Sequence, residues 1–285
     1  MRGRSIWNGR KYLWFLLPSL LGMLAFYFVP YLASFYYATT DAAGTFVGLR
    51  VIGRTLGNEA FRIALGNTMR FMAVCVPLNI LLPFVLADLI HIRKGNSGAF
   101  VTIFMLPLVI PTGATVFFWK IVFDEYGLVN KIIHQFGGEP VHWFQTEAVL
   151  WVVVIAFLCK NVGFNMVLFL TGLRYIPREY YEVTAVEGGG PWTAMRKVTF
   201  VYLAPSFSMV FLMAVINSFK AFREIFLLFG NYPHDSIYML QHYMNNQFLA
   251  VNLQKLSAAS TIVSLVIAVV VLVILRGQKQ MLKNL

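Results

Sequence analysis

Six stretches of this chain are each long and apolar enough to cross a bilayer, and no other feature narrows its possible folds so far. A hydrocarbon core needs about 20 predominantly apolar residues in a helix. Residues 12–37, 61–90, 100–123, 149–173, 200–229 and 258–275 meet that need, the last with an unbroken Val, Ile, Leu and Ala run from Leu265 to Leu275. In lipid every backbone polar group must be satisfied within its own segment, which makes each stretch a helix. The expected fold is therefore all-α, with six transmembrane helices in a single domain over 12–285 behind a short arm at 1–11. Charged residues are only 12% of the chain and hydrophobic ones 59%. A soluble domain carries about 25% charged residues, so a water-soluble globule is excluded.

Arg2, Arg4, Arg10 and Lys11 precede the first apolar run, as they would in a signal peptide. The run is too long for a signal core and lacks a small-residue cleavage site, so a retained first helix is expected. Lys and Arg fall unevenly between the loops. The arm has those four, the second connection Arg93 and Lys94, residues 174–199 Arg174, Arg178, Arg196 and Lys197, and the tail Arg276, Lys279 and Lys283. The opposite loops have only Arg50, Arg54, Lys131 and Lys255. Cations concentrate on the cytoplasmic side, which sets both termini inside and segments 39–60 and 124–148 outside. This clustering at span ends also accounts for the net charge of +11 without nucleic acid, since no basic stripe with interleaved aromatics occurs. Cys75 and Cys159 sit within apolar runs without metal-type spacing and are expected to be inert.

The fourth connection has the most informative pattern. It reads Pro177-Arg-Glu-Tyr-Tyr-Glu182-Val-Thr-Ala185-Val-Glu187-Gly188-Gly-Gly-Pro191-Trp192 and continues to Thr199. Pro177 suits the first helical position, and Glu179 the positive end of the helix dipole. Gly188 is a natural stop and Pro191 a natural start, predicting two short helices joined by a glycine bend. Such a bend on a membrane face fits a socket in a cytoplasmic partner, whose movement then turns the attached spans as rigid bodies. Glu182 offers an acceptor to that partner.

Residues Tyr181, Glu182, Gly188, Trp192 and Pro205 are similar in position to the EAA motif of ATP-binding-cassette importer permeases. Glu187 stands for that motif's Asp, and Val183 and Thr184 for its alanines. Further marks resemble the carbohydrate-uptake type, of the maltose and glycerol-3-phosphate kind. They are Phe46-Val-Gly-Leu49, Ala64-Leu-Gly-Asn67-Thr68, Leu106-Pro107-Leu-Val-Ile-Pro111, Trp119, Gly127-Leu-Val-Asn130 and Thr171-Gly-Leu-Arg-Tyr-Ile-Pro177. Gly230-Asn-Tyr-Pro233 departs from the Gly-Gly-Pro turn usual in that family.

The resemblance implies a type I importer fold with cytoplasmic coupling helices, here as the first of two permease subunits in a bacterial cell membrane. It also implies the partners: a second homologous permease, two ATP-binding-cassette ATPase subunits and an extracytoplasmic solute-binding protein delivering a sugar or oligosaccharide. Glu182, Ala185, Glu187, Gly188 and Trp192 would form the ATPase-coupling loop.

Arg70, Asp88, Lys120, Lys160, Lys220, Arg223 and Glu224 lie within predicted spans. A charge there must snorkel, pair or face a wet cavity. Adjacent Arg223 and Glu224 suggest a local pair. Lys160 lies about 18 Å along the fourth span by helical rise, beyond the reach of snorkelling. With Asn161 and Asn165 it makes a polar stripe, and Phe164 and Phe222 would add flat apolar faces of the kind sugars stack on. This set lines a solute path or makes a polar helix–helix contact with the sister permease, and both readings stand at this level.

The chain lacks a Walker-type Gly-x-x-x-x-Gly-Lys-Ser/Thr loop, so ATP and magnesium are expected in a separate ATPase and no cofactor in this subunit. His91, His134, His142, His234 and His242 are scattered, which predicts neither a metal site nor a catalytic group. A stand-alone secondary carrier is the rival function and would favour inverted repeats, of which the halves show no clear sign. A membrane-embedded enzyme would need a carboxylate or His cluster at one interface.

Overall fold

The computed structural model describes residues 9–92 and 97–283. Arg2, Arg4, Arg93 and Lys94, used above for orientation, lie outside them. The described residues are mostly helical, with a single isolated bridge between Thr40 and Phe46. Within the extent of the one domain expected, they group into two compact units.

The first unit takes in residues up to Phe61 together with Met244–Ile267. Helices α1 (Gly9–Met23) and α2 (Val29–Thr39) join through a π-type turn into the first span. None of the apolar window of this span is buried, which leaves its circumference to lipid or to another subunit. A tight turn leads to α3 (Arg50–Leu56). Ala38, Val51 and Ala258 form the small core of this unit.

The second unit contains the rest. Helix α4 (Glu59–Ile92) is the second span. The third differs from expectation: it is broken into α5 (Ser97–Val109) and α6 (Thr112–Val122), with a bend of 98°. Pro111 is the cause. Its backbone is extended, at φ −55° and ψ 139°. Proline also lacks the amide that would continue the ladder and disfavours helix at the preceding residue.

A short α7 (Leu128–Gln135) then packs in the 124–148 segment. Asn130 fixes that segment. Its amide nitrogen donates to the carbonyls of Glu125 and Val141, both at 3.0 Å. Its oxygen accepts from Val141 N at 3.1 Å and Trp143 Nε1 at 3.0 Å. Alanine at this site strands a buried carbonyl and an indole donor, at an expected local cost of about 2–3 kcal/mol. Limited proteolysis of the Asn130→Ala protein should cut within residues 124–148 at protease levels that leave the parent intact.

The remaining spans are α8 (Val149–Arg174), α11 (Phe200–Lys220) with α12 (Phe222–Phe229), and α14 (Leu253–Lys283). Between them lie α9 (Arg178–Val186), α10 (Pro191–Ala194) and α13 (Leu240–Leu249). Among the described residues five helices pass as spans alone, and six if the bent pair counts as one. Spans α4, α8 and α11 are joined by a phenylalanine triad. Phe84, Phe169 and Phe207 have ring centroids 4.7 to 5.7 Å apart, within the range of favourable aromatic contact.

Candidate functional site

The 174–199 segment stands on this phenylalanine core. Buried Leu173, Ile176 and Val198 belong to the same apolar cluster, and Tyr181 packs against it. The Tyr181 hydroxyl meets the Thr199 hydroxyl at 3.0 Å, so α9 is tied to the head of the fifth span. Pro177 takes the cap position before α9, not the first helical one as expected, with ψ at 136°. An extended cap sets the angle between span and short helix, and the missing amide costs nothing there.

The end of α9 is a Schellman motif. Gly189 N donates to Thr184 O at 2.8 Å and Gly188 N to Ala185 O at 3.0 Å. Gly188 has φ +79°, a conformation that side chains resist. A Cβ on Gly189 would sit 2.7 Å from the Thr184 methyl and 2.8 Å from the Thr184 carbonyl. The sequence pattern singled out Gly188 but not Gly189, whose constraint arises only when the chain folds back.

The second predicted short helix is not separate. Beginning at Pro191, α10 passes through a π-type turn, Met195–Thr199, straight into α11. Nothing between Pro191 and Phe200 breaks the helix, because the proline occupies its first turn. A push on this segment therefore bears directly on the fifth span.

Glu182, Ala185, Glu187, Gly188 and Trp192 are all exposed. So are large apolar side chains: Val186 is 89% and Trp192 69% accessible. The result is a knob with an anchored base and an apolar tip beside a carboxylate.

The second candidate region is a cavity of about 650 Å³ within the same unit. Lys160, Asn161, Asn217, Phe222, Glu224 and Gln241 are in its wall. The charge pairing differs from expectation: Glu224 pairs with Lys160, Nζ to Oε1 at 2.6 Å, and not with Arg223. Adjacent residues on a helix point about 100° apart, so Arg223 does not pair with Glu224 although it also lines this cavity. The Lys160 ammonium also donates to the Thr112 hydroxyl at 3.2 Å. The pair thus fastens α8 to both broken spans, at the start of α6 and just beyond the interruption at Ala221. Asn217 Nδ2 donates to Asn161 Oδ1 at 3.0 Å, adding a second polar link from α8 to α11.

Asn165 and Phe164 are not in that wall. Asn165 is fully buried and donates to the Asn79 backbone carbonyl at 3.1 Å, on the α4 side of the helix. The wall also holds Phe222, against whose ring His242 packs edge-to-face with centroids 4.6 Å apart. Burial pushes the His242 imidazole down to about 4, so it is neutral near pH 7. Asn217, Glu224 and Gln241 were not read as path residues from sequence, although a carboxylate in an apolar run is a usable signal.

Residues 79–282 match the family described as binding-protein-dependent transport system inner membrane component. The chain belongs to this family. It is a multi-pass transport permease of the cytoplasmic membrane. Its relatives include the trehalose/maltose transport system permease protein MalF of Thermococcus litoralis, 28% identical over 76% of each chain. Another is the arabinooligosaccharides transport system permease protein AraP of Bacillus subtilis, 27% identical over 90% of this chain and 84% of that one. The fold matches a bacterial ABC transporter involved in import of the acidic polysaccharide alginate, with a TM-score of 0.82 at 20% identity. That match covers 97% of this permease and 99% of the other chain.

Proposed function

We propose that this permease forms half of the membrane pathway for a sugar or oligosaccharide handed over by an extracytoplasmic binding protein. A cytoplasmic ATPase drives it through the 174–199 knob. One observation carries the reading: among the described residues the attachments of the knob run inward, to the phenylalanine core, Thr199 and Tyr202, while its apolar tip and Glu182 are exposed. A solvated tip of that kind is stable in a socket and costly in water. Glu182, Ala185, Glu187, Gly188 and Trp192 then form the coupling surface, and a second permease supplies the other half of the path.

The cavity wall supports the cargo class. Asparagine amides and a glutamine beside Phe222 offer hydrogen bonds next to a flat apolar face, the combination that recognises a hydroxylated ring. Lys160, Asn161 and Phe222 are the path residues in this reading, together with Asn217, Glu224 and Gln241. The curated relatives are named for oligosaccharide, maltose and trehalose transport, in keeping with such a cargo.

Charge reversal at Glu182 tests the coupling. In Glu182→Lys, the ATPase subunits should no longer co-purify with the permease at moderate salt, and uptake should fall at least roughly tenfold, the loss of one charge-assisted contact. Adding a bulky replacement at Gly188 should deepen the loss. Intact assembly and transport in the double variant would rule the coupling role out.

A further inference from the structure

The first unit has a cavity of its own, about 340 Å³, outside everything assigned above. Arg50, Arg54 and Lys255 line it with a single carboxylate, Asp41. That carboxylate is already engaged. Asp41 Oδ2 accepts the Thr45 hydroxyl at 2.5 Å, and Oδ1 accepts the amides of Thr45 and Ala43 at 2.9 and 3.0 Å. These bonds, the Thr45 hydroxyl foremost, hold the carboxyl below its usual range, so it stays ionised and locked in the turn. Among the described residues no carboxylate oxygen lies within 4 Å of the three cations. Arg50 acts on the Asp41 carboxylate only through space, and three cations against one carboxylate leave the site with an excess of positive charge.

Its frame is firm. Ala38, Val51 and Ala258 pack beneath it, and Gln254 donates to the Asp41 carbonyl at 3.4 Å. Val251, next to the lining residue Asn252, has φ +54°, a conformation that a β-branched residue adopts only under constraint. Its side chain is 75% exposed. Phe46 and Leu49, neighbours in sequence of lining residues, are exposed as well. Cations with bare apolar groups around them match a protein-docking patch, where apolar contact gives affinity and charge gives steering. The Lys and Arg distribution sets both contributing loops outside.

We propose that this cavity receives an acidic side chain of the solute-binding protein, with Arg50, Arg54 and Lys255 setting how tightly that protein docks. This rests on the importer reading and adds where and by what chemistry the delivery partner is held. Loss of such charges weakens encounter while leaving the later steps alone, so the effect falls on half-saturation and not on maximal rate.

The test uses the complete importer in phosphatidylcholine vesicles, following ATPase activity against added binding protein. Arg50→Gln/Arg54→Gln should raise the half-saturating concentration about tenfold at an unchanged maximal rate. Raising salt from about 50 to about 300 mM should weaken docking of the parent more than that of the variant. Arg50→Lys/Arg54→Lys should behave much like the parent. An unchanged half-saturation and salt response would overturn the proposal. So would a lowered maximal rate restored by phosphatidylglycerol, which would mark a lipid-headgroup site. If the parent complex is not stimulated at any concentration of binding protein, the importer reading itself fails, an outcome distinct from the other two.

Discussion

Lys160→Met is expected to abolish cargo uptake and to reduce the amount of folded permease in the membrane. Methionine keeps most of the volume but removes the cation, which leaves Glu224 enclosed without its partner. The two side chains are only 23% and 19% accessible. Breaking an ion pair at that partial exposure costs about 1–3 kcal/mol, less than for a fully buried pair, since the remaining charge keeps part of its desolvation penalty and loses its compensation. The Thr112 hydroxyl loses a donor at the same time, so the start of α6 is loosened. Lys160→Met/Glu224→Gln separates the two roles of the pair. Removing both charges should restore membrane abundance, because no orphaned ion remains. If Lys160 lines the path, uptake by the double variant stays low although the protein is present. Recovery of uptake along with abundance would make the pair a fastener between spans and take Lys160 off the path. Immunoblotting of membranes and uptake by intact cells give the two readouts.

Gly163→Ala should be the most damaging single-methyl change in the fourth span. Helices α5 and α8 approach so closely there that a Cβ would run into the Phe104 carbonyl and lie 3.1 Å from Met105 N. Those are backbone atoms of a helix, which cannot swing aside as a side chain does. The helices must separate instead, with loss of packing along the contact, at a cost of about 3 kcal/mol or more. Gly172 supplies the control. A Cβ there would come within 2.6 Å of Leu203 Cδ2 and Ser206 Oγ, both flexible side-chain ends. Gly172→Ala should therefore retain most of the folded protein, while Gly163→Ala loses most of it. Thermal unfolding of the detergent-solubilised permeases, followed by fluorescence-detected size exclusion, measures the difference. Equal behaviour of the two variants would show that α5 and α8 part more easily than the close contact suggests.

The close approach at Gly163 also shows where sequence reading stopped. That glycine lies within the Lys160–Asn165 stripe, whose spacing says nothing of a close helix approach, and only the presence of α5 against it makes the missing side chain necessary. Asn165, two residues on, joined the polar stripe by spacing, yet the helix turns it toward α4 and the Asn79 carbonyl. Pro111 was visible in the sequence as part of a motif, but its consequence, the 98° bend, depends on whether the chain continues straight or folds back at that point.

What the sequence determined by itself was set by local chemistry. Span length against bilayer thickness, the Lys and Arg at span ends, and a glycine stop after an acidic short helix each act within some twenty residues, so they can be read along the chain. The partner of Lys160 lies 64 residues away, and the base beneath the 174–199 knob comes from three spans. Contacts at that separation are fixed by which helix faces meet, and the pattern of an all-round apolar helix leaves that choice to packing. Only the folded bundle decides it.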